Sequence, residues 1–301
     1  MKKILLALLA LPVLVPLLFI LHNNLGNQPL HPESVDAAYQ RSLHWLDSHR
    51  QEILNQDNAI LWWMLIEANR IQPNPMLNTM IEEYRSHARR NNPGSPWNYL
   101  ILDTRPTIDV YRVLDADLPD YNVYFIYAFS CNPGLAETEL VRMQHDTGFC
   151  FQHHPVSPAC TTHQMMGFRF LQRFDCAADF DLQDSIDTLA ARIETMAVYD
   201  FRLVDVYLQR LLMLADIGRW ERIKPRWIHR ILAAQHEDGG WSNIQPLLPL
   251  GNERYIGFTG RGMGIGRNRS GFHTTAQGLL LMTLLNQHLA ANTASQSPTS
   301  H

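Results

Sequence analysis

Ile231-Leu-Ala-Ala-Gln235-His-Glu-Asp-Gly239-Gly-Trp241 and Leu140-Val-Arg-Met-Gln144-His-Asp-Thr-Gly148-Phe-Cys150 are two versions of one phrase, 91 residues apart. Each has an aliphatic residue, a glutamine four positions on, a glycine four further, and an apolar or aromatic residue two beyond that. A Thr/His cluster follows both: Thr161-Thr162-His163-Gln164 after the first and His273-Thr274-Thr275-Ala276-Gln277 after the second. One copy of such a unit cannot bury its own apolar face, so repetition predicts stacked supersecondary elements around a shared core.

The intervening sequence reads as helix. From Pro32, a residue suited to a first helical turn, Val35, Ala38, Tyr39, Ser42, Trp45 and Leu46 follow the spacing of one buried face. Asp57 is placed to cap the next helix, whose centre Ile60-Leu61-Trp62-Trp63-Met64-Leu65-Ile66 is apolar on all sides and must be surrounded by protein. Further helices are expected near 75–89, 108–116, 133–144, 161–174, 182–196, 200–217 (Asp200 as N-cap, Gly218 just past the end), 224–235 and 273–290. Alternation of period two is scarce, so the fold class expected is all-α, with inner helices covered by outer ones.

The Gln235–Trp241 phrase resembles the glutamine–tryptophan repeat of the α/α-toroid superfamily, the terpenoid cyclases, protein prenyltransferases and polysaccharide lyase-like proteins. The Gln144–Cys150 phrase resembles a degenerate copy. The resemblance implies a toroid-like array of helical hairpins. In it Gln144, Gly148, Gln235, Gly239 and Trp241 are structural, the glutamine stacking on the aromatic ring and binding backbone at a neighbouring helix end. It implies little about chemistry, because that fold hosts cyclases, prenyl-handling enzymes, lyases, hydrolases and plain binding domains. The cyclase acid looks like D-x-D-D, whereas this chain has Asp115-Ala116-Asp117-Leu118, which reads as a solvated loop before Pro119.

The chain has 301 residues, a net charge of −4 and a pI near 6.4, which excludes a general nucleic-acid binder. Lys2 and Lys3 precede an uncharged apolar run, Ile4 to Leu21. Eighteen residues of helix span roughly 27 Å, enough to cross a hydrocarbon core. No small-x-small cleavage site follows, so residues 1–21 are expected to be an uncleaved anchor, the alternative being a cleaved signal peptide. Either places the body in the periplasm or outside the cell; the anchor puts the N-terminus in the cytoplasm and makes the inner membrane a partner. Residues 22–31 read as a linker, 32–290 as one helical domain, and 291–301 as a disordered tail. Cys131, Cys150, Cys160 and Cys176 are an even set within 46 residues, read first as two disulfides with three possible pairings.

Four cysteines and histidines near His145, His153 and His154 lack the compact pairs of a zinc site, so no metal and no cofactor are expected. His163 and His273 stand at helix starts, as candidate proton-transfer groups or as caps bonding loop backbone. From Trp241 to His273 is 32 residues, against 13 from Cys150 to His163. The extra stretch, Gly260 to Gly271, is expected to be a glycine-rich loop bringing Arg261, Arg267 and Arg269 to an anion at a helix N-terminus, or else to be solvated. The leading expectation is an anchored binder of an anionic envelope component, a glycan or lipid phosphate, in a central funnel. The alternatives are a lyase or hydrolase acting on an acidic polysaccharide, and a cyclase-like or prenyl-handling enzyme. A His or Tyr converging with one of the arginines separates enzyme from binder.

Overall fold

Apolar residues on every side of several helices leave them no place except the interior, and the structure arranges five of them in a closed circuit. The computed structural model describes residues 14–26, 28–102 and 104–296. Helix α1 covers 14–24, α2 Pro32–Ser48, α3 Ala59–Ile71 and α4 Pro75–Asn91. They are followed by α5 Asp120–Ser130, α6 Glu139–His145, α7 Cys160–Arg173, α8 Leu182–Tyr199, α9 Asp205–Asp216, α10 Pro225–Ala233 and α11 Phe272–Gln296. The inner helices are α3, α5, α7, α9 and α11. Neighbours touch in the order α3, α11, α9, α7, α5, and the short helix Asn98–Ile101 bridges α5 back to α3. Outside them, α4 packs on α3, α6 on α5, α8 on α7 and α9, and α2 on α11. The outer helices show the one-sided pattern: α4 buries Leu77, Met80, Ile81, Tyr84 and Ala88, and past its first turn the remainder is polar.

The two repeated phrases do the same mechanical job. Gln235 Nε2 donates to the carbonyls of Ala38 in α2 and of Gly239, both at 2.8 Å. Gln144 Nε2 donates to the Asp120 carbonyl at the start of α5 (3.1 Å) and to Leu140. Each glutamine therefore ends an outer helix on the backbone of a neighbouring one. Gly239 has φ +95°, and a Cβ there would overlap the Arg41 carbonyl, so the second phrase needs its glycine. Gly148 has φ −74°, which any residue adopts, consistent with a degenerate first copy. Trp241 is 1% exposed, donates from Nε1 to the Ile231 carbonyl (2.9 Å), and lies flat enough on α11 that a Cβ at Gly278 would collide with its ring.

At the C-terminal ends of the inner helices the polar residues pair. Arg173, in the last turn of α7, reaches Glu67 of α3 (2.6 Å) and Asp216 of α9, and Arg169 also holds Asp216 (3.0 Å). Guanidinium groups suit the negative ends of these helices. The disulfides are Cys131–Cys176, joining the ends of α5 and α7, and Cys150–Cys160, joining the helical turn Phe149–His153 to the start of α7.

Several expectations are corrected. The extra stretch before His273 is not a loop but a three-stranded antiparallel sheet, β1 (Ile244–Gly251), β2 (Arg254–Thr259) and β3 (Gly262–Arg267), so the fold is mostly helical rather than all-α. Alternation of glycine with Met263, Ile265 and Arg267 is a strand pattern in which hydrogen bonding to β2 outweighs glycine's flexibility. Asn58, not Asp57, caps α3, its side chain accepting from Leu61 N. Asp200 caps no helix start; α9 begins at Asp205, and the Asp200 carboxylate instead binds Arg202 and Arg210. Helix α5 was not expected, because its start, Asp120 and Asn122 after Pro119, continues a stretch of loop-forming residues.

Residues 22–31 are more than a tether. Asn23 is fully buried, donating to the Ala197 carbonyl (2.8 Å) and accepting from Tyr207 OH (2.8 Å) and from Arg230. Asn24 binds the Val198 carbonyl and accepts from Lys224. The expected tail is helical through residue 296, and 297–301 lie outside the described residues. So do residues 1–13, most of the expected anchor; among the described residues no helix is long and apolar enough to cross a membrane.

Replacing Trp241 by alanine is expected to lower unfolding free energy by about 3–5 kcal/mol, the usual cost of emptying a buried aromatic site. Denaturant titration checks it, and an unchanged midpoint would remove the ring from the core. Cys131→Ser with Cys176→Ser should cost about 2–4 kcal/mol, since this bridge closes a 45-residue separation in the unfolded chain.

Candidate functional site

The N-terminal ends of the five inner helices face one concavity. Its inner compartment, about 320 Å³, is lined by Asp57 and Asn58 before α3, Tyr121 and Phe125 of α5, His163 of α7, Gln209 of α9, and His273 and Gln277 of α11. An outer compartment of about 470 Å³ adds Asp120, His154, Asp205, Gly260 and Arg261. Tyr121 and His163 belong to both and form the shared wall.

Tyr121 and His163 stack face to face, with centroids 4.1 Å apart and planes 9° from parallel. Burial lowers the pKa of His163 to about 4, with positive charge on His273 adding to the effect, so its imidazole is neutral at physiological pH. Burial raises the pKa of Tyr121, which keeps its hydroxyl protonated. A neutral imidazole and a protonated phenol side by side are a base and an acid held apart in pKa by one environment.

His273 projects from the first turn of α11. Its Nε2 lies 3.1 Å from Gln277 Nε2 and 4.0 Å from Asp205 Oδ2. Half of this side chain (52%) is open, but water reaches it from within the concavity; the surrounding protein lowers its pKa, and the Asp205 charge partly opposes that. Gln277 is 1% exposed and its Oε1 has no partner among the described residues; Asp205 Oδ1 is likewise buried without one. Both are polar atoms on the walls of this space with bonding capacity left over.

The expected site residues thus divide. His163 and His273 come together, and Arg261, in the turn between β2 and β3, reaches the outer compartment. Arg267 and Arg269 do not line it and are exposed along and beyond β3. Strand pairing fixes this: Arg267 stands opposite Arg254 at the far end of the β2–β3 ladder from the turn that carries Arg261. Tyr121, Asp205, Gln209 and Gln277 were not expected. Asp205 had a signal, a carboxylate ahead of the largely apolar segment 206–215, the place of an acidic residue in a first helical turn. The disulfide Cys150–Cys160 borders the outer compartment and fixes the loop that carries His154 and Pro158. No group of three or more His, Cys, Asp or Glu able to hold a metal occurs among the described residues.

Five helix dipoles point their positive ends into this space, which favours negative charge. Asp120 and Asp205, each in the first turn of its helix, answer part of that field from within the protein. No family model, curated protein or solved structure matches the chain.

The buried, neutral His163 makes a pH prediction. Its folded pKa lies below the usual 6.5, so on acidification the unfolded chain takes up a proton that the native state refuses. Stability contributed by this group is present above pH 6.5 and lost as pH falls from about 6.5 to about 4. Urea unfolding across that window should show a steeper loss in the native protein than in His163→Gln. Parallel curves would mean that His163 is freely protonated in the fold.

Proposed function

We propose that this chain is a membrane-anchored, extracytoplasmic enzyme of the lyase or hydrolase kind, acting on an acidic glycan within a toroid of helical hairpins. One observation carries this reading: a neutral imidazole, a protonated phenol, an Asp–His pair and an arginine converge on one concavity from four helices and a strand turn. In the proposed reaction Arg261 and the helix N-termini neutralise a carboxylate of the sugar acid, His163 takes a proton, and Tyr121 returns one to the leaving oxygen. The toroid reading draws support from the closed circuit of inner helices and from the Gln144 and Gln235 clasps. The apolar run after Lys2 and Lys3 supports an inner-membrane anchor, and the two disulfides fit a periplasmic or extracellular body.

A second reading, a non-catalytic binder of an anionic envelope glycan or lipid phosphate, is favoured by the 4.0 Å between His273 and Asp205, longer than a hydrogen bond. A cyclase-like reading loses ground, since Asp57 is the one carboxylate among residues lining the inner compartment. The test incubates full-length protein with polyuronates, sulfated glycans and neutral glycans. New reducing ends with the ultraviolet absorbance of unsaturated sugar acids mark a lyase, and reducing ends alone a hydrolase. His163→Gln and Tyr121→Phe should each lower the rate by about 10²–10⁴-fold with the circular dichroism unchanged. Saturable binding without turnover, equal in both variants, would replace the enzyme reading by the binder.

A further inference from the structure

The β1–β3 sheet has two unlike faces. Its register sets Leu248 opposite Ile256, Ile256 opposite Ile265, and Phe258 opposite Met263, so all five point the same way. The glycines of β3 occupy the other face, where Gly266 approaches Ile244 and the body. On the apolar face Met263 is 68%, Ile265 57% and Leu248 56% exposed. A monomeric soluble surface seldom carries such a contiguous patch without a partner.

Two observations identify that partner. The patch is continuous with the apolar N-terminal segment: Phe258 meets Phe201 edge to face at 5.4 Å, and Phe201 stacks on Phe19 of α1 at 4.9 Å. Helix α1 in turn exposes Leu14, Leu17, Leu18 and Leu21, the last residues of the run that begins at Ile4. The second observation is charge. Arg254 and Arg267 are direct cross-strand partners at the end of the same apolar face, although like charges placed opposite each other are destabilising. Arg261 and Arg269 flank the same strand and are exposed. The ion pairs among the described residues include none of these four arginines. An anion between Arg254 and Arg267 would remove their repulsion, whereas a second copy of the face would add more cations to it.

We propose that this sheet docks on a bilayer containing anionic lipids, with Leu248, Ile256, Met263 and Ile265 at the acyl boundary and Arg254 and Arg267 at the level of the phosphates. Apolar side chains backed by arginine are the composition of an interfacial membrane contact. The inference rests on the anchoring reading above and adds to it a second, lateral contact. Because Gly260 and Arg261 form the turn of the same sheet, docking would hold the mouth of the concavity at the membrane surface.

The test reconstitutes the full-length chain into phosphatidylcholine vesicles, with and without phosphatidylglycerol, and compares Ile265→Trp with the unsubstituted protein. Met263→Trp serves as a second reporter should the first perturb folding. With anionic lipid the added tryptophan should shift to the blue and be quenched by brominated acyl chains. Arg254→Gln with Arg267→Gln should weaken docking roughly thirtyfold, about fivefold for each arginine at an anionic surface. Extraction with alkaline carbonate reports on the anchor alone, and quenching at residue 265 on the docking alone, so the two readings fail separately. An added tryptophan that stays water-like in both vesicle types overturns the docking. So does quenching that ignores phosphatidylglycerol and both arginines, or a blue shift that grows with protein concentration in detergent, which would assign the face to a second copy.

Discussion

A single amide group governs how the chain passes from the outside of this molecule to the inside. When helix α10 ends, its last carbonyls need partners, the chain must turn sharply, and the next elements must enter a core with no tolerance for loose polar groups. Gln235 meets these demands together: Nε2 bonds one carbonyl of the neighbouring helix and one of its own turn, and Oε1 accepts from Arg41 at 2.9 Å. The turn then delivers Trp241 against α11, where its backbone N–H donates to Thr275 Oγ1. Gln144 repeats the clasp at α5, and Gln164 adds to it by donating to the carbonyls of Gln144 and Asp146. At these two corners the glutamine amides meet the backbone carbonyls that a sharp turn would otherwise leave unpaired.

The same traffic explains the concavity. Every inner helix enters from a corner on one side and leaves on the other, so their N-termini collect at one end and their C-termini at the other. Positive partial charge gathers where the chain enters and negative where it leaves. Arg173 and Arg169 answer the second end through their carboxylate partners in a buried network. At the first end, Asp120 and Asp205 answer only in part, and Asp205 Oδ1 and Gln277 Oε1 keep unused acceptor capacity. One end of the barrel is therefore electrostatically closed and the other is not.

What the sequence disclosed follows from how local each signal was. The clasps were legible because glutamine, glycine and tryptophan sit at fixed spacing within eleven residues. The outer helices were legible from their 3.6-residue periods, and the histidines because they mark helix starts. Helix α5 was not, since its first turn, Asp120 and Asn122 after Pro119, reads as more of the preceding loop, and Tyr121 went with it. The sheet was hidden for the opposite reason. Pro246 and Pro249 interrupt β1, and the glycines of β3 resemble a loop until Ile256 and Phe258 are seen opposite Ile265 and Met263. Convergence of Tyr121, Asp205 and Arg261 depends on contacts between distant segments, which no local pattern carries.

Asn23 has a practical consequence for anyone preparing a soluble form of this protein. The apparent boundary after the apolar run invites a truncation at residue 28 or 32, which would discard a side chain that accepts from both Tyr207 and Arg230 inside the body. Arg230 is 7% exposed, and with Asn23 gone it would keep the Phe201 carbonyl and the Tyr207 ring but lose the side-chain acceptor that satisfies its second terminal nitrogen. A shortened recombinant form should therefore start no later than His22. Fusion partners belong ahead of that residue, where they leave the buried asparagine in place.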